Sequence, residues 1–424
     1  MATSEMADTW IPVGEGSPFP LSNLPFGVGH TGDGRRRAWV ALGESAVDLD
    51  ALARAGALGL VHAGWFDRWY LNGYLAAGPD VWGSVRWRLI DVLTDPTAEG
   101  RFAEHVVPRS WLTMGVPVAP TDYVDFYSSL HHATNLGRLF RPDGEALLPN
   151  WRHLPIGYHG RTATLVPDRT DIVRPHGVRP IDGEPTFGPT GMLDVELEVG
   201  TVVGAGSELG VPVDIADAGD HLYGMCLVND WSARDIQAFE YQPLGPFCGK
   251  SFATSVSPWL VSFQALDACR IAPPTPEPAP ADYLVAPADA RPWGFDLHLE
   301  IWFDSAQMRA DGRDPVRISE CGFADMYWTP AQQLAHLTVN GACVTPGDLF
   351  ASGTVSGPRP GSEGSLIELT RRGERPIELP DGTTRTFLED GDRVELRGWA
   401  GDDDTTRFGL GSVTGTVVPA RGAH

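Results

Sequence analysis

Leu193-Asp194-Val195-Glu196-Leu197-Glu198-Val199 gives the clearest sign of this chain's architecture. Acidic and aliphatic residues alternate, as in a β-strand whose successive side chains face opposite sides. The chain also contains 49 glycines and 36 prolines, which favour many short strands joined by turns. Together these features predict a mainly β fold of the α+β class. Further strands are predicted at 38–42, 224–228, 296–303, 365–369, 393–397 and 412–418.

The spacing of helices and prolines predicts two domains. Two helices are expected early, at Leu49–Ala57 and Trp82–Leu93, and Gly115–Pro120 is predicted to be a linker. In the remainder of the chain only two good helices are predicted, one opening near Asp230 and one at Thr329, where a capping threonine precedes a first-turn proline. We predict an N-terminal domain over 1–118 and a larger domain over 119–424.

Charge and cysteine usage restrict the partners and the compartment. The 32 Lys and Arg against 55 Asp and Glu give a net charge of -23, which repels phosphate backbones and anionic membranes. We therefore expect neither nucleic acid nor a membrane as a partner. The segment Met1–Leu21 is too acidic and proline-rich for a signal peptide. The five cysteines lack a CxxC pair, which favours a reducing compartment, and we predict a cytoplasmic protein.

Two nucleotide-binding motifs are matched only superficially. Gly27, Gly29 and Gly32 satisfy GxGxxG, but no strand is predicted before them and no helix after them. Gly249-Lys250-Ser251 resembles the end of a phosphate-binding loop, yet the earlier glycine that the motif requires is Leu244. The first is interpreted as a loop, and the second is rejected as a phosphate-binding loop.

Acidic residues suggest a metal site, although each also has an ordinary interpretation. Asp194, Glu196 and Glu198 would share one face of a strand. If that face is solvated, the pattern is an ordinary amphipathic strand and needs no ion. If it is buried, the three like charges need a cation. Asp230 ends an apolar strand and would either cap the next helix or join the site. No HExxH motif or cysteine cluster is present, so an all-oxygen site for Mg²⁺ or Ca²⁺ is favoured over zinc.

The residues after Asp230 extend this candidate site. Arg234, Gln237 and Tyr241 are spaced to form one polar helix face, which would otherwise be a solvated helix side. Lys250 is the only lysine in the chain, which indicates either chance or a need for a compact ammonium whose pKa can be tuned. His131 and His132 point in different directions on a helix, so at most one is expected to function, and spacing does not choose between them.

Nine segments, in this order, resemble the fumarylacetoacetate hydrolase family, and they extend over nearly the whole chain: 17–28, 125–135, 140–151, 154–161, 193–198, 227–237, 240–252, 348–357 and 386–392. The resemblance implies a small SH3-like N-terminal barrel followed by a large β-roll catalytic domain, and a homodimer. It also implies hydrolysis of the carbon–carbon bond of 4-fumarylacetoacetate to fumarate and acetoacetate, the last step of tyrosine and phenylalanine catabolism.

The resemblance assigns roles to individual residues. The metal-site residues would be Asp125, Glu196, Glu198 and Asp230, with Lys250 and Thr254 beside the cation. His132 would be the general base and Glu368 its orienting partner, while Arg234, Gln237 and Lys250 would stabilise negative charge. The substrate would be held by Tyr127, Arg141, Tyr158, Gln237, Tyr241 and Thr354.

Two other functions compete with this one. A related metal-dependent hydrolase, decarboxylase or hydratase would act on another keto acid such as an acylpyruvate, although the N-terminal domain and the His132 segment argue against it. A non-catalytic, metal-dependent anion-binding protein would lack the base or the charge-stabilising groups, and the sequence contains all of them.

Overall fold

The computed structural model describes residues 8–59, 61–401 and 407–422. The ends of the two predicted domains, at 1–7 and 423–424, lie outside the described residues, as does the start of the segment Met1–Leu21. No helix among the described residues is long and apolar enough to cross a membrane.

The strands are short and follow one another along most of the chain. Those of the N-terminal part are β1 (Phe26–His30), β2 (Arg37–Leu42), β3 (Ser45–Asp48), β4 (Val106–Pro108) and β5 (Thr113–Met114). The remaining strands are β6 (Tyr123–Phe126), β7 (Gly157–His159), β8 (Leu165–Pro167), β9 (Ile172–Val173), β10 (His176–Ile181), β11 (Glu184–Pro189), β12 (Leu193–Asp194), β13 (Leu197–Val203), β14 (Leu222–Asp230), β15 (Ser232–Ala233), β16 (Thr254–Val256), β17 (Val261–Ser262), β18 (Arg270–Ile271), β19 (Gly294–Phe295), β20 (Leu297–Asp304), β21 (Val316–Gly322), β22 (Leu349–Ala351), β23 (Ile377–Glu378), β24 (Thr384–Arg385), β25 (Arg393–Ala400) and β26 (Phe408–Val418).

Most of the helices are short. They are α1 (Leu49–Arg54), α2 (Asn72–Leu75), α3 (Pro79–Thr94), α4 (Glu99–Phe102), α5 (Leu130–Phe140), α6 (Ala218–His221), α7 (Arg234–Glu240), α8 (Phe263–Leu266), α9 (Ala306–Ala310), α10 (Pro330–Thr338) and α11 (Leu366–Leu369). At α10 the Thr329 side chain accepts the backbone N–H of Gln332, whose side chain in turn accepts the Thr329 N–H. The predicted start of this helix is therefore confirmed.

A central sheet carries three of the four carboxylates of the predicted metal site, Asp125, Glu198 and Asp230. Its strand order is β7-β6-β22-β13-β14-β16-β8, with β17 also paired to β14. Because β6 and β22 are parallel and β13 and β14 reverse direction in turn, the ends of β6 and β14 and the start of β13 meet at one edge. This edge brings together side chains that are far apart in the sequence.

A second sheet packs against the central one to form the main core. Its strand order is β21-β20-β25-β26-β9. Gly398 of β25 faces Leu227 of β14, and a Cβ added at Gly398 would lie 2.9 Å from the Leu227 Cδ2 atom. A side chain at position 398 would therefore push the two sheets apart.

The N-terminal sheet has the strand order β4-β3-β2-β1-β5. It shares a core with the face of the central sheet that points away from the second sheet. Tyr74 and Trp82 each meet Tyr223 of β14 in edge-to-face contacts, with ring centroids 5.9 and 5.4 Å apart. Val228 and Leu349 from the central sheet belong to the same buried cluster. The predicted β-rich class, with a small barrel-like N-terminal sheet before a larger β-rich part, is confirmed.

Four predictions about individual elements are wrong. The segment with Gly27, Gly29 and Gly32 was predicted to be a loop, but Gly27 and Gly29 lie in β1 and pair with β2, and a Cβ at Gly27 would lie 2.6 Å from the Pro258 carbonyl oxygen, so this strand needs a residue without a side chain. Residues 365–369 were predicted to form a strand but form helix α11, because a short apolar run has no periodicity that separates the two structures. Residues 193–199 are not one strand, since β12 pairs with β15 and the chain re-enters the central sheet only at Leu197. The eleven-residue helix α5 adds a third substantial helix to the two that were predicted after the linker.

Candidate active site

Four carboxylates from neighbouring strands of the central sheet converge at the edge described above. Asp125 lies in β6, Glu198 in β13, Asp230 at the end of β14, and Glu196 in the short link before β13. One oxygen atom from each lies within 4.8 Å of the others, and all four side chains are buried. The interpretation of Glu196 and Glu198 as a solvated strand face is therefore wrong.

The environment of these carboxylates fits a divalent cation. Asp125 Oδ1 and Glu198 Oε1 are buried and have no hydrogen-bond partner among the described residues. Burial, followed by the charge of the neighbouring carboxylates, raises the pKa of Asp125 and of Glu198 well above the usual range. Buried like charges of this kind are neutralised by protons or by a cation, and an all-oxygen donor set suits a hard cation.

Two basic side chains contact the same cluster. Lys250 Nζ lies 2.5 Å from Asp230 Oδ2 and also contacts Glu196. Arg234 Nη2 lies 2.6 Å from Glu196 Oε1. Burial opposes ionisation of Glu196, but Arg234 and Lys250 outweigh it and lower the pKa of this carboxyl below its usual range. Glu196 is thus a fixed carboxylate.

The contacts of Lys250 indicate a different reason for a lysine at this position from the tunable pKa suggested by the sequence. Burial disfavours its charged form, but Asp230 and Glu196 outweigh this effect and raise the pKa of the ammonium. The suggestion that its pKa is tuned for proton transfer is therefore not supported by these contacts. What distinguishes lysine here is a compact charge that fits between two carboxylates, where a planar guanidinium requires more room.

His132 and Glu368 form a buried pair behind the four carboxylates. His132 lies in the first turn of α5, which Ser129 caps, and its Nδ1 is 2.7 Å from Glu368 Oε2. Because a carboxylate only accepts hydrogen bonds, Nδ1 must donate, and in the neutral imidazole the lone pair is therefore on Nε2. Nε2 lies 3.9 Å from Glu196 Oε1, so this lone pair points toward the carboxylate cluster.

Glu368 is held in place by several donors. Ser356 and Ser365 donate to Oε2, at 3.0 and 2.6 Å, and Asn135 donates to Oε1 at 2.9 Å. Burial raises the pKa of Glu368, but His132 and these hydrogen bonds outweigh it and the net shift is downward. Glu368 therefore remains a carboxylate and fixes the tautomer of His132.

A cavity of about 450 Å³ opens onto these groups. It is lined by His132, three of the four carboxylates (Asp125, Glu196 and Glu198), Arg234, Lys250 and all the predicted substrate-binding residues: Tyr127, Arg141, Tyr158, Gln237, Tyr241 and Thr354. Glu368 does not line it and reaches it only through His132. Thr254 lies beyond Asp230, to which it donates a hydrogen bond of 2.8 Å, and lines a smaller neighbouring cavity of about 330 Å³.

The tertiary structure chooses between several alternatives that the sequence left open. Asp230 does not cap α7, whose N-cap residue is Ala233, and instead contacts Lys250 and Thr254. His132 is 2% exposed and faces the cavity, whereas His131 is half-buried and is not among the residues that line it. The polar face of α7 lines the cavity and is not a solvated helix side.

The sequence did not reveal the residues that support the His132–Glu368 pair. Ser356, Ser365 and Asn135 each donate to Glu368, and no spacing in the sequence marks these contacts. Asp194 was expected to face the same ion as Glu196, but it turns away and contacts Arg234 Nε at 2.8 Å. The reason is the break between β12 and β13, which ends the side-chain alternation at that point.

Family models match both parts of the chain. The model described as fumarylacetoacetase N-terminal matches residues 22–117, and the one described as fumarylacetoacetate hydrolase C-terminal matches 122–418. The chain belongs to the fumarylacetoacetate hydrolase family. It is therefore an enzyme of the hydrolase class.

Relatives in this family are similar over almost their whole length. A fumarylacetoacetase of Arabidopsis thaliana is 44% identical, over 97% of this chain and 98% of its own. The fumarylacetoacetase of Homo sapiens is 43% identical, over 97% and 99%. Among solved structures, a fumarylacetoacetate hydrolase from Exiguobacterium antarcticum superimposes with a TM-score of 0.50 and 15% identity, over 94% of this chain and 100% of that one, which shows a shared fold.

Proposed function

We propose that this chain hydrolyses 4-fumarylacetoacetate to fumarate and acetoacetate. The observation that carries the proposal is the buried His132–Glu368 pair, 2.7 Å apart, whose free imidazole nitrogen faces the four-carboxylate cluster in one cavity. The similarity to fumarylacetoacetases over 97% of the chain supports this substrate. The same similarity favours fumarylacetoacetate over the acylpyruvate expected for a related hydrolase.

His132 is the general base in this proposal. Glu368 holds Nδ1–H, so the Nε2 lone pair is available to remove a proton from water inside the cavity. The resulting hydroxide oxygen forms a bond to the carbonyl carbon at the fumaroyl end of the substrate. The imidazolium that forms is stabilised by the adjacent Glu368 carboxylate, as in other base–carboxylate pairs.

Arg234 and Lys250 supply the positive charge for the tetrahedral oxyanion. Both line the cavity and both are fixed by contacts with Glu196. When the oxyanion collapses, the carbon–carbon bond breaks and its electron pair leaves with the acetoacetate fragment, where a carbonyl delocalises it as an enolate. The His132 imidazolium returns its proton to the enolate carbon, which completes acetoacetate and restores the base, and the attacked carbonyl carbon becomes a carboxylate of fumarate.

The remaining polar side chains of the cavity would hold the substrate. Tyr127, Tyr158, Tyr241, Gln237 and Thr354 offer hydroxyl and amide groups to the two keto oxygens and to the carboxylates. The Thr354 hydroxyl is buried without a partner among the described residues, which leaves it available to a ligand. Arg141, which donates to the Ala146 carbonyl oxygen at 2.7 Å, keeps part of its guanidinium for a substrate carboxylate.

We propose Mg²⁺ or Ca²⁺ as the cation, held by Asp125, Glu196, Glu198 and Asp230, with Lys250 and Thr254 beside it. The support is the all-oxygen donor set and the two buried carboxylate oxygens that have no partner among the described residues. Bound there, such an ion supplies Lewis-acid charge that polarises the keto oxygens.

One assay tests the proposed function. Purified enzyme should remove the absorbance of fumarylacetoacetate, stop when a chelator is added and resume when Mg²⁺ or Ca²⁺ is restored. A simple acylpyruvate, offered in parallel, should be the poorer substrate by kcat/KM. A clear preference for the acylpyruvate, or ligand binding without turnover, would replace this proposal with one of its competitors.

We further propose that the enzyme is a cytoplasmic homodimer. The β10–β11 hairpin leaves Val178, Ile181 and Phe187 exposed, and Phe187 is 62% exposed. Val178 and Phe187 are paired across the two strands of this hairpin, and an exposed apolar pair of this kind is typical of a surface covered by a partner. Light scattering after size exclusion should give twice the chain mass of 45.8 kDa, and a single-chain mass would refute the dimer.

A further inference from the structure

Asp194 contacts both halves of the proposed catalytic apparatus without lining the cavity. Its side chain is fully buried. Oδ1 accepts the N–H groups of Val195 and Leu366, at 2.8 and 2.7 Å. Oδ2 accepts Arg234 Nε and the N–H of Ile367, at 2.8 and 3.1 Å. Four donors therefore occupy the acceptor positions of one carboxylate.

On one side, Asp194 fixes the guanidinium of Arg234. This group has three contacts on its three nitrogens: Nε with Asp194, Nη1 with Gln237 at 3.3 Å and Nη2 with Glu196. The contact with Asp194 fixes the plane of the guanidinium, because Nε is the nitrogen bonded to the aliphatic part of the side chain. Without it, the guanidinium is free to turn further toward the carboxylate cluster.

On the other side, Asp194 fixes the helix that carries Glu368. The Leu366 and Ile367 N–H groups open α11, and Ser365, its N-cap residue, makes no side-chain capping bond. Ser365 instead donates to Glu368. Asp194, which is distant in sequence, thus takes over the capping of the turn that presents Glu368 to His132.

We propose that Asp194 is a positioning residue that holds Arg234 and the Glu368–His132 pair in one fixed arrangement. The catalytic part of this inference rests on the proposed function, because it concerns the distance between the general base His132 and Arg234, whose charge stabilises the oxyanion. The contacts themselves do not depend on the identity of the substrate.

The substitution Asp194→Asn tests this link. An asparagine amide has one acceptor oxygen and an NH₂ donor, so at least two of the four donors lose their acceptor. Asp304→Asn is the matched control, because Asp304 is a buried aspartate that pairs with Arg309 and Arg393 and does not line the cavity.

A spectroscopic measurement reads the position of Glu368 directly. In protein labelled with ¹⁵N-histidine, the Nδ1–H resonance of His132 is identified by its loss in H132N. We expect D194N to move this resonance in the direction that E368Q moves it, and D304N to leave it in place. If D194N does not fold, D194E keeps the charge but displaces the carboxylate, and the same movement is expected.

Kinetics with fumarylacetoacetate give the second reading. We expect D194N to lower kcat by about 10- to 100-fold, as is usual for residues that orient a catalytic group, with a smaller change in KM. In the double variant D194N/E368Q the losses should not multiply, because both act through the same pair. An unmoved His132 resonance, an unchanged kcat or fully multiplicative losses would overturn the inference. If the wild-type enzyme does not turn over this substrate, the proposed function fails and the resonance alone decides the role of Asp194.

Discussion

Lys250 shows how a single residue type is selected by its surroundings. It is the only lysine among 32 basic residues, and the structure places it between Glu196 and Asp230. Gly249, its neighbour, packs so closely that an added Cβ would lie 2.7 Å from the Gln237 backbone nitrogen. The backbone beside Lys250 is therefore packed directly against α7, which fixes the point from which the lysine side chain starts.

We predict that Lys250→Arg lowers kcat by about 10²-fold, the usual cost of removing a group that stabilises an oxyanion. The planar guanidinium cannot occupy the position of a compact ammonium between two carboxylates. Steady-state kinetics with saturating cation measure the loss. The control Arg101→Lys changes an exposed position in α4 and should retain the wild-type rate. Full turnover by K250R would show that only the charge is needed.

We predict that His132→Asn lowers kcat by about 10²- to 10⁴-fold, the range for loss of a general base. Calcium binding, measured by calorimetry, should survive because His132 is not one of the four carboxylates of the cluster. The adjacent substitution His131→Asn is the control, since His131 does not line the cavity. Equal losses from the two substitutions would contradict the assignment of the base.

At the scale of elements, α5 is held against the loop that follows it by a glycine. Gly137 faces the Ala146 carbonyl, and a Cβ at this position would lie only 1.7 Å from the carbonyl oxygen. The same carbonyl accepts a hydrogen bond from Arg141, so helix and loop form one unit along the cavity. His132 lies five residues earlier in this helix and moves with it.

Gly137→Ala should lower both the melting temperature and kcat, because the helix or the loop must shift to admit the methyl group. In a helix without such a contact the same change stabilises by roughly 0.5–1 kcal/mol. Gly100→Ala in α4, where an added Cβ meets nothing within 4 Å, provides that comparison. Thermal unfolding and kcat of both variants distinguish a steric effect from a general response to alanine.

At the scale of the whole molecule, the four-carboxylate cluster links stability to pH and to the cation. The pKa values of Asp125 and Glu198 are raised, first by burial and then by their neighbours. The folded chain without a cation therefore binds protons more tightly than the unfolded chain. By linkage, it loses stability as the pH rises above the ordinary carboxyl range and through the raised folded-state values.

We predict that the melting temperature of the Ca²⁺-loaded enzyme exceeds that of the chelated enzyme by a margin that grows from pH 5 to pH 8. Taking the difference at each pH cancels the other titrating groups. In D125N one of the repelling carboxylates is gone, so the dependence of this margin on pH should be weaker. A margin independent of pH would argue that the cation does not bind at this cluster.

The extent to which the sequence predicted the site varies from residue to residue. Asp125, Glu196, Glu198, Asp230 and His132 follow largely from the family resemblance, and the structure brings all five together, with all but Asp230 lining one cavity. Their catalytic roles remain predictions. The support provided by Ser356, Ser365 and Asn135 could not be predicted, because a hydrogen bond between distant residues leaves no periodic pattern in the sequence.

The sequence by itself determined the β-rich class, the start of α10 and the all-oxygen donor set of the candidate metal site, since these follow from local alternation, capping residues and side-chain chemistry. Only the tertiary structure decided that Asp194 faces Arg234 and that 365–369 are helical. It also decided that His132, and not His131, points into the cavity. The physical reason is that burial and pairing are properties of contacts between distant segments, and a short segment has nearly equal local preferences until those contacts form.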